Sequence, residues 1–237
     1  MGEVTVPTPA GPLPAYLAEP DAAIAGPRAG VVVMHELFGL TDDIRRWCDR
    51  FAGEGYTALA PDLLHWGASP RCLLAAFRAL RSGHGRALIE IEACRDHLGD
   101  LPGASGRVGI AGFCMGGGFA LLAAPRGFAA AAPNYAPLPP DPDTALRGAC
   151  PIVASYGARD RGLRGAAGTL SSALERLGVE HDVKEYAGAS HSFLNDHEGW
   201  MGATDLVTGF RHHEAAAEDA WGRIRGFFAT HLRPVAT

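Results

Sequence analysis

The sequence predicts an α/β protein with a mostly parallel central sheet and helices on both faces, expected as a single domain over residues 1–237. Three observations predict it. From residue 30 onward, apolar runs of strand length alternate with segments of helical period. The run Gly30–His35 (GVVVMH) is β-branched, the pattern of a strand buried on both faces. No internal repeat breaks the alternation, and the chain is long enough to bury a substantial core without disulfides.

Each element has its own local reason. Val4–Val6 and Leu13–Leu17 read as short strands joined by a Pro/Gly turn. After Gly30–His35, Thr41, Asp42 and Asp43 offer helix N-caps, and the helix runs through Trp47 and Phe51 to Gly53–Gly55. Tyr56–Ala60 is the next strand, stopped by Pro61 and Asp62. Arg71–Arg81 and Arg86–Leu98 are apolar at helical spacing, with Ser82–Gly85 between them. Arg107–Phe113 reads as a strand and Met115–Ala124 as a small-residue helix. Phe128–Pro133 and Pro151–Tyr156 are further strands, and the Pro-rich stretch Pro133–Pro142 is expected as a surface loop. Leu170–Leu177 is helical and His181–Tyr186 alternates like a strand. Ala216, Trp221, Ile224, Phe227 and Phe228 fit one face of a final amphipathic helix.

Composition removes several classes of function. A net charge of −5, with no basic stripe, gives nothing for nucleic acid or an anionic membrane surface to bind. No apolar stretch is long enough to span a bilayer. The N-terminus lacks the basic start and apolar run of a signal peptide, and Val6 stands where a myristoylation motif needs Ser or Thr, so a cytoplasmic location is expected. Five irregularly spaced cysteines (Cys48, Cys72, Cys94, Cys114, Cys150) argue against a disulfide framework. Four of them read as small buried hydrophobes. Neither C-x-x-C nor H-E-x-x-H occurs, and His212–Glu214 and His35–Glu36 lack metal-ligand spacing, so no metal and no cofactor is expected.

The fifth cysteine is different. Gly112-Phe113-Cys114-Met115-Gly116 follows a strand and opens a helix, the context of the G-x-S-x-G nucleophile elbow with cysteine in place of serine. Tight turns of this kind leave no room for side chains at the flanking positions. The helix N-terminus favours a thiolate, and the Met115 amide faces a developing oxyanion. By itself the motif is equally compatible with an inert core thiol. A phosphate loop is disfavoured, because neither G-x-x-x-x-G-K-[ST] nor G-x-G-x-x-G is present.

The residues that follow shift the balance. In α/β hydrolases the acid and then the histidine come after the nucleophile. Here Asp160 stands just past a strand end, and His191 lies in the loop after another. Each alone reads equally well as a turn or surface residue; the agreement of order and context favours a triad. No serine occupies a G-x-S-x-G frame. In Met34–Leu40 (MHELFGL), at the exit of the first buried strand, the Leu37 amide is the candidate second oxyanion donor. Glu36 beside an apolar strand end needs a partner or a role. Pairing with an arginine and interaction with the Cys114 thiol both remain open.

These motifs resemble the dienelactone hydrolase (carboxymethylenebutenolidase) family. The similar pieces are HELFGL, APDLL, GFCMGGG, GARD and GASHSF, in order from residue 35 to 193. The resemblance implies the α/β-hydrolase fold and a triad of Cys114, His191 and Asp160. It also implies that Glu36 helps form the thiolate when substrate turns a dormant thiol toward the histidine. Tyr135 is the counterpart of an aromatic residue near the family's pocket. Asn195 stands where dienelactone-cleaving members carry one of two arginines for the substrate carboxylate. The other lies in a segment after APDL that is shortened here, which leaves Arg71, Arg78 and Arg81 without a fixed correspondence to it.

The expected function is therefore hydrolysis of a small ester or lactone other than dienelactone by a monomer or homodimer. Two rivals stand beside it: a non-catalytic small-molecule receptor on the same fold, and a thiol redox or acyl-transfer protein. An intact triad favours the hydrolase over the receptor, and the lack of a nearby resolving cysteine disfavours the redox reading.

Overall fold

Strands form where the sequence is β-branched or alternating, and helices form where apolar residues recur at helical spacing. The computed structural model of the protein describes residues 1–22, 26–65, 70–196 and 211–232. In chain order the elements are β1 (Gly2–Thr8), β2 (Gly11–Ala18), β3 (Arg28–Met34), α1 (Asp42–Gly53), β4 (Thr57–Pro61), α2 (Pro70–Ser82), α3 (Arg86–Gly99), β5 (Ala104–Phe113) and α4 (Met115–Ala123). They continue with β6 (Ala130–Asn134), α5 (Pro142–Ala145), β7 (Ile152–Gly157), α6 (Ala166–Leu177), β8 (His181–Tyr186) and α7 (Glu214–His231).

The strands make one 8-stranded sheet in the order β1-β2-β4-β3-β5-β6-β7-β8. From β4 to β8 all neighbours are parallel, while β1 and β2 add an antiparallel edge. This is the mostly parallel sheet that the alternating pattern predicts, in the α/β-hydrolase architecture that the resemblance implies. Successive residues of β3 serve opposite faces, because side chains alternate along a strand. Val32 and Met34 join the core under α2, α3, α4 and α6, whereas Val31 and Val33 join the core under α1 and α7. A central strand covered on both sides has no polar face, hence the unbroken apolar run.

Several boundaries differ from the sequence expectation. His35 leaves β3, since its ring is bonded to loop backbone. Thr41 sits at the N-cap of α1 without a side-chain capping bond, and Asp42 and Asp43 in the first turn complement the helix dipole instead. The stretch Pro133–Pro142 is not a surface loop throughout. Pro133 and Asn134 belong to β6, and Tyr135 and Ala136 are fully buried, because the chain runs on beneath the elbow before emerging. Cys48, Cys94 and Cys150 are buried free thiols; the side chain of Cys72 lies outside the described residues.

Candidate active site

The sequence candidates gather at the carboxyl ends of β3, β5, β6, β7 and β8, where parallel sheets carry their functional groups. Cys114 separates β5 from α4 with φ 53° and ψ −118°. A non-glycine residue in this left-handed region is strained and persists only where its surroundings impose it. The surroundings do so: the Cys114 N–H donates to the Asn134 carbonyl (3.1 Å), and the Gly118 N–H donates to the Cys114 carbonyl (3.2 Å). A Cβ at Gly112 would lie 2.1 Å from the Gly116 carbonyl oxygen. One at Gly116 would lie 2.4 Å from the Met34 oxygen and 2.6 Å from that of His35. These distances explain both glycines, and they press the elbow against the exit of β3.

His191 and Asp160 converge on the thiol. Their loops follow adjacent strands and are tied by the Arg159 N–H, which donates to the Ala189 carbonyl (2.9 Å). His191 Nδ1 lies 2.5 Å from Asp160 Oδ2, and Asp160 Oδ1 accepts the Gly162 N–H (2.9 Å). The imidazole is also hydrogen-bonded to the Cys114 thiol. Burial opposes a charge on His191, but the bonds to Asp160 and Cys114, with their charges, outweigh it and raise the imidazole to about 10. Burial likewise pushes the Asp160 carboxyl up, yet the His191 hydrogen bond and charge and the Gly162 and Leu163 amides hold it below its ordinary value.

Glu36 is buried, 4% exposed, and its Oε1 accepts the Ser192 hydroxyl (2.8 Å). Sequence reasoning did not find Ser192, since nothing about a serine after a histidine shows which carboxylate it will meet. Cys114, Tyr135 and Ser192 are the non-glycine residues with positive φ among the described residues, and all three lie at this site. The Tyr135 ring, itself fully buried, lies 5.1 Å from that of His191 and 5.7 Å from that of Phe193. Burial, then the charges of Glu36, Asp43 and Cys114, push its phenol well above the usual range. Asn195 is 1% exposed, and its Oδ1 accepts from Trp47 Nε1 (3.0 Å). Among the described residues, Tyr135 Oη and Asn195 Nδ2 have no protein partner.

Among the described residues, no group of three or more His, Cys, Asp or Glu side chains is placed to hold a metal ion, and no helix is long and apolar enough to cross a membrane.

The arrangement has known relatives. The model of the dienelactone hydrolase family matches residues 13–232. An Escherichia coli K12 protein named "Putative carboxymethylenebutenolidase" is 30% identical over 96% of this chain and 86% of its own length. A crystal structure from Klebsiella pneumoniae, titled "Putative Dienelactone Hydrolase", superposes with a TM-score of 0.78 at 26% identity, over 96% of this chain and 97% of that one. An esterase from Thermogutta terrifontis, crystallised with butyrate, shares the fold with a TM-score of 0.70 at 17% identity, over 99% of this chain and 97% of that one.

Proposed function

The chain belongs to the dienelactone hydrolase family and is an ester hydrolase, and on that premise we propose that it opens a small ester or lactone through a Cys114–His191–Asp160 triad. The observation that carries this reading is the single line of contacts from Asp160 through the His191 ring to a thiol held on a strained turn.

The thiolate of Cys114 attacks the substrate carbonyl carbon, a C–S bond forms, and the carbonyl electrons move onto oxygen. The N–H groups of Leu37 and Met115 receive that oxyanion; one such donor is worth about 3–4 kcal/mol. The His191 imidazolium gives its proton to the departing alkoxide as the C–O bond breaks. The neutral ring then takes a proton from water, hydroxide adds to the thioester, and the acid leaves as the thiol is restored. Asp160 fixes the ring with its proton on Nδ1 and supports the imidazolium charge. Glu36, buried beside the site, helps form the thiolate when substrate binds.

Tyr135 and Asn195 belong to the wall of the substrate pocket. Both are buried neutral side chains, and Asn195 brings no cation. That chemistry suits an uncharged ester or lactone in place of a substrate bearing a carboxylate. The test is turnover of aryl esters and lactones by wild type and Cys114→Ala, with mass spectrometry of the acyl group trapped on the wild-type thiol. Loss of turnover in the variant and an acyl adduct on Cys114 are expected; undiminished turnover overturns the proposal.

A further inference from the structure

We infer that His35 is a positioning residue for the oxyanion hole: its imidazole sets the plane of the Glu36–Leu37 peptide and so aims the Leu37 N–H. The inference rests on the role given to Leu37 above.

His35 is 1% exposed, directly before the loop. Its Nδ1 lies 2.6 Å from the Glu36 carbonyl oxygen. A carbonyl has no proton to give, so Nδ1 carries the hydrogen and donates. Its Nε2 lies 3.1 Å from the Leu63 backbone nitrogen, which can only donate, so Nε2 is the acceptor. The Leu63 contact requires a neutral ring, and the two contacts together fix the Nδ1–H tautomer. Burial lowers the imidazole below its ordinary value and so maintains that form.

The consequence follows from peptide geometry. None of the described peptide bonds is cis, so the Leu37 N–H points opposite to the Glu36 C=O. Holding that carbonyl on the ring turns the amide hydrogen away from it. The carbonyl of His35 already lies against Gly116, so the loop is fixed beside the elbow that carries Met115. Leu63, just past β4, anchors the far side of the ring. A strand that plays no other part in the chemistry thus helps hold the oxyanion donor. Asp62 does not compete for Nε2: its Oδ1 is 4.0 Å away and accepts the Leu64 N–H at 3.0 Å.

The experiment compares His35→Gln and His35→Asn with wild type and Cys114→Ala on p-nitrophenyl acetate, and measures iodoacetamide alkylation of Cys114 in parallel. Gln reaches toward Leu63 but gives up the donor to Glu36, so kcat falls about tenfold or more while KM changes less than about twofold. Alkylation builds no oxyanion, so its rate stays within about twofold of wild type. Asn places an amide donor near the Nδ1 position and keeps kcat within about threefold of wild type. Wild-type kcat in His35→Gln, with Cys114→Ala inactive, overturns the inference alone. So does a parallel fall of kcat and alkylation, which would mean that the thiol itself is disturbed. Should Gln not fold, a tenfold loss in His35→Asn is decisive against it. Undiminished turnover by Cys114→Ala overturns the thiol mechanism and this inference together.

Discussion

His191 Nδ1 and Asp160 Oδ2 lie 2.5 Å apart across a sequence separation of 31 residues. The contact is made by backbone as much as by side chains, because β7 and β8 are parallel neighbours and the Arg159 amide clips one exit loop to the other. An ion pair delivered by a sheet in this way resists thermal scatter better than one between long surface side chains.

Asp160→Asn removes a group that raises His191. If His191 is the proton donor to the leaving group, the alkaline limb of kcat/KM falls from near 10 toward the ordinary histidine value, and the rate drops by about 10² or more. A pH–rate profile of both proteins checks this. An alkaline limb that stays in place would assign it to another group.

The same shift makes stability depend on pH. His191 is raised in the folded state, so its contribution is full below about 6.5 and is lost as pH rises toward about 10. The stability gap between wild type and His191→Gln should therefore be wider at pH 6 than near pH 10. Urea melts at both values measure it, and an equal gap would contradict the assignment.

Gly116→Ala forces a Cβ to within 2.4 Å of the Met34 oxygen and 2.6 Å of the His35 oxygen. Both neighbours are backbone atoms at the end of β3, so neither can rotate aside. A loss of about 1–3 kcal/mol or more is expected, with esterase activity falling as well. A melt indistinguishable from wild type would show that this strand end yields easily.

Ser192 separates two effects in one residue. Ser192→Ala keeps the positive φ of 58° and removes the donor to the Glu36 carboxylate. It should cost about 1.5–3 kcal/mol. Ser192→Gly loses the same bond but relieves the left-handed backbone, recovering about 1 kcal/mol relative to Ala. Chemical denaturation of the pair tests the order Ala below Gly; the reverse order would mean that the φ is not strained.

The sequence by itself determined the sheet and the positions of its functional loops. β-branched runs buried on both faces can only be central strands, and Gly112 and Gly116 mark a turn that no side chain can enter. It also offered Cys114, Asp160 and His191 as candidates, because a glycine-flanked turn and the order of nucleophile, acid and histidine after successive strands are readable in the sequence. Tertiary structure decided what touches what. The burial of Tyr135 inside an apparent surface loop, the Ser192–Glu36 bond and the grip of Trp47 on Asn195 depend on contacts between distant segments. The tautomer of His35 depends on a backbone amide at Leu63. No local pattern encodes such contacts, since periodicity reports the face on which a residue lies and not the atom it meets there.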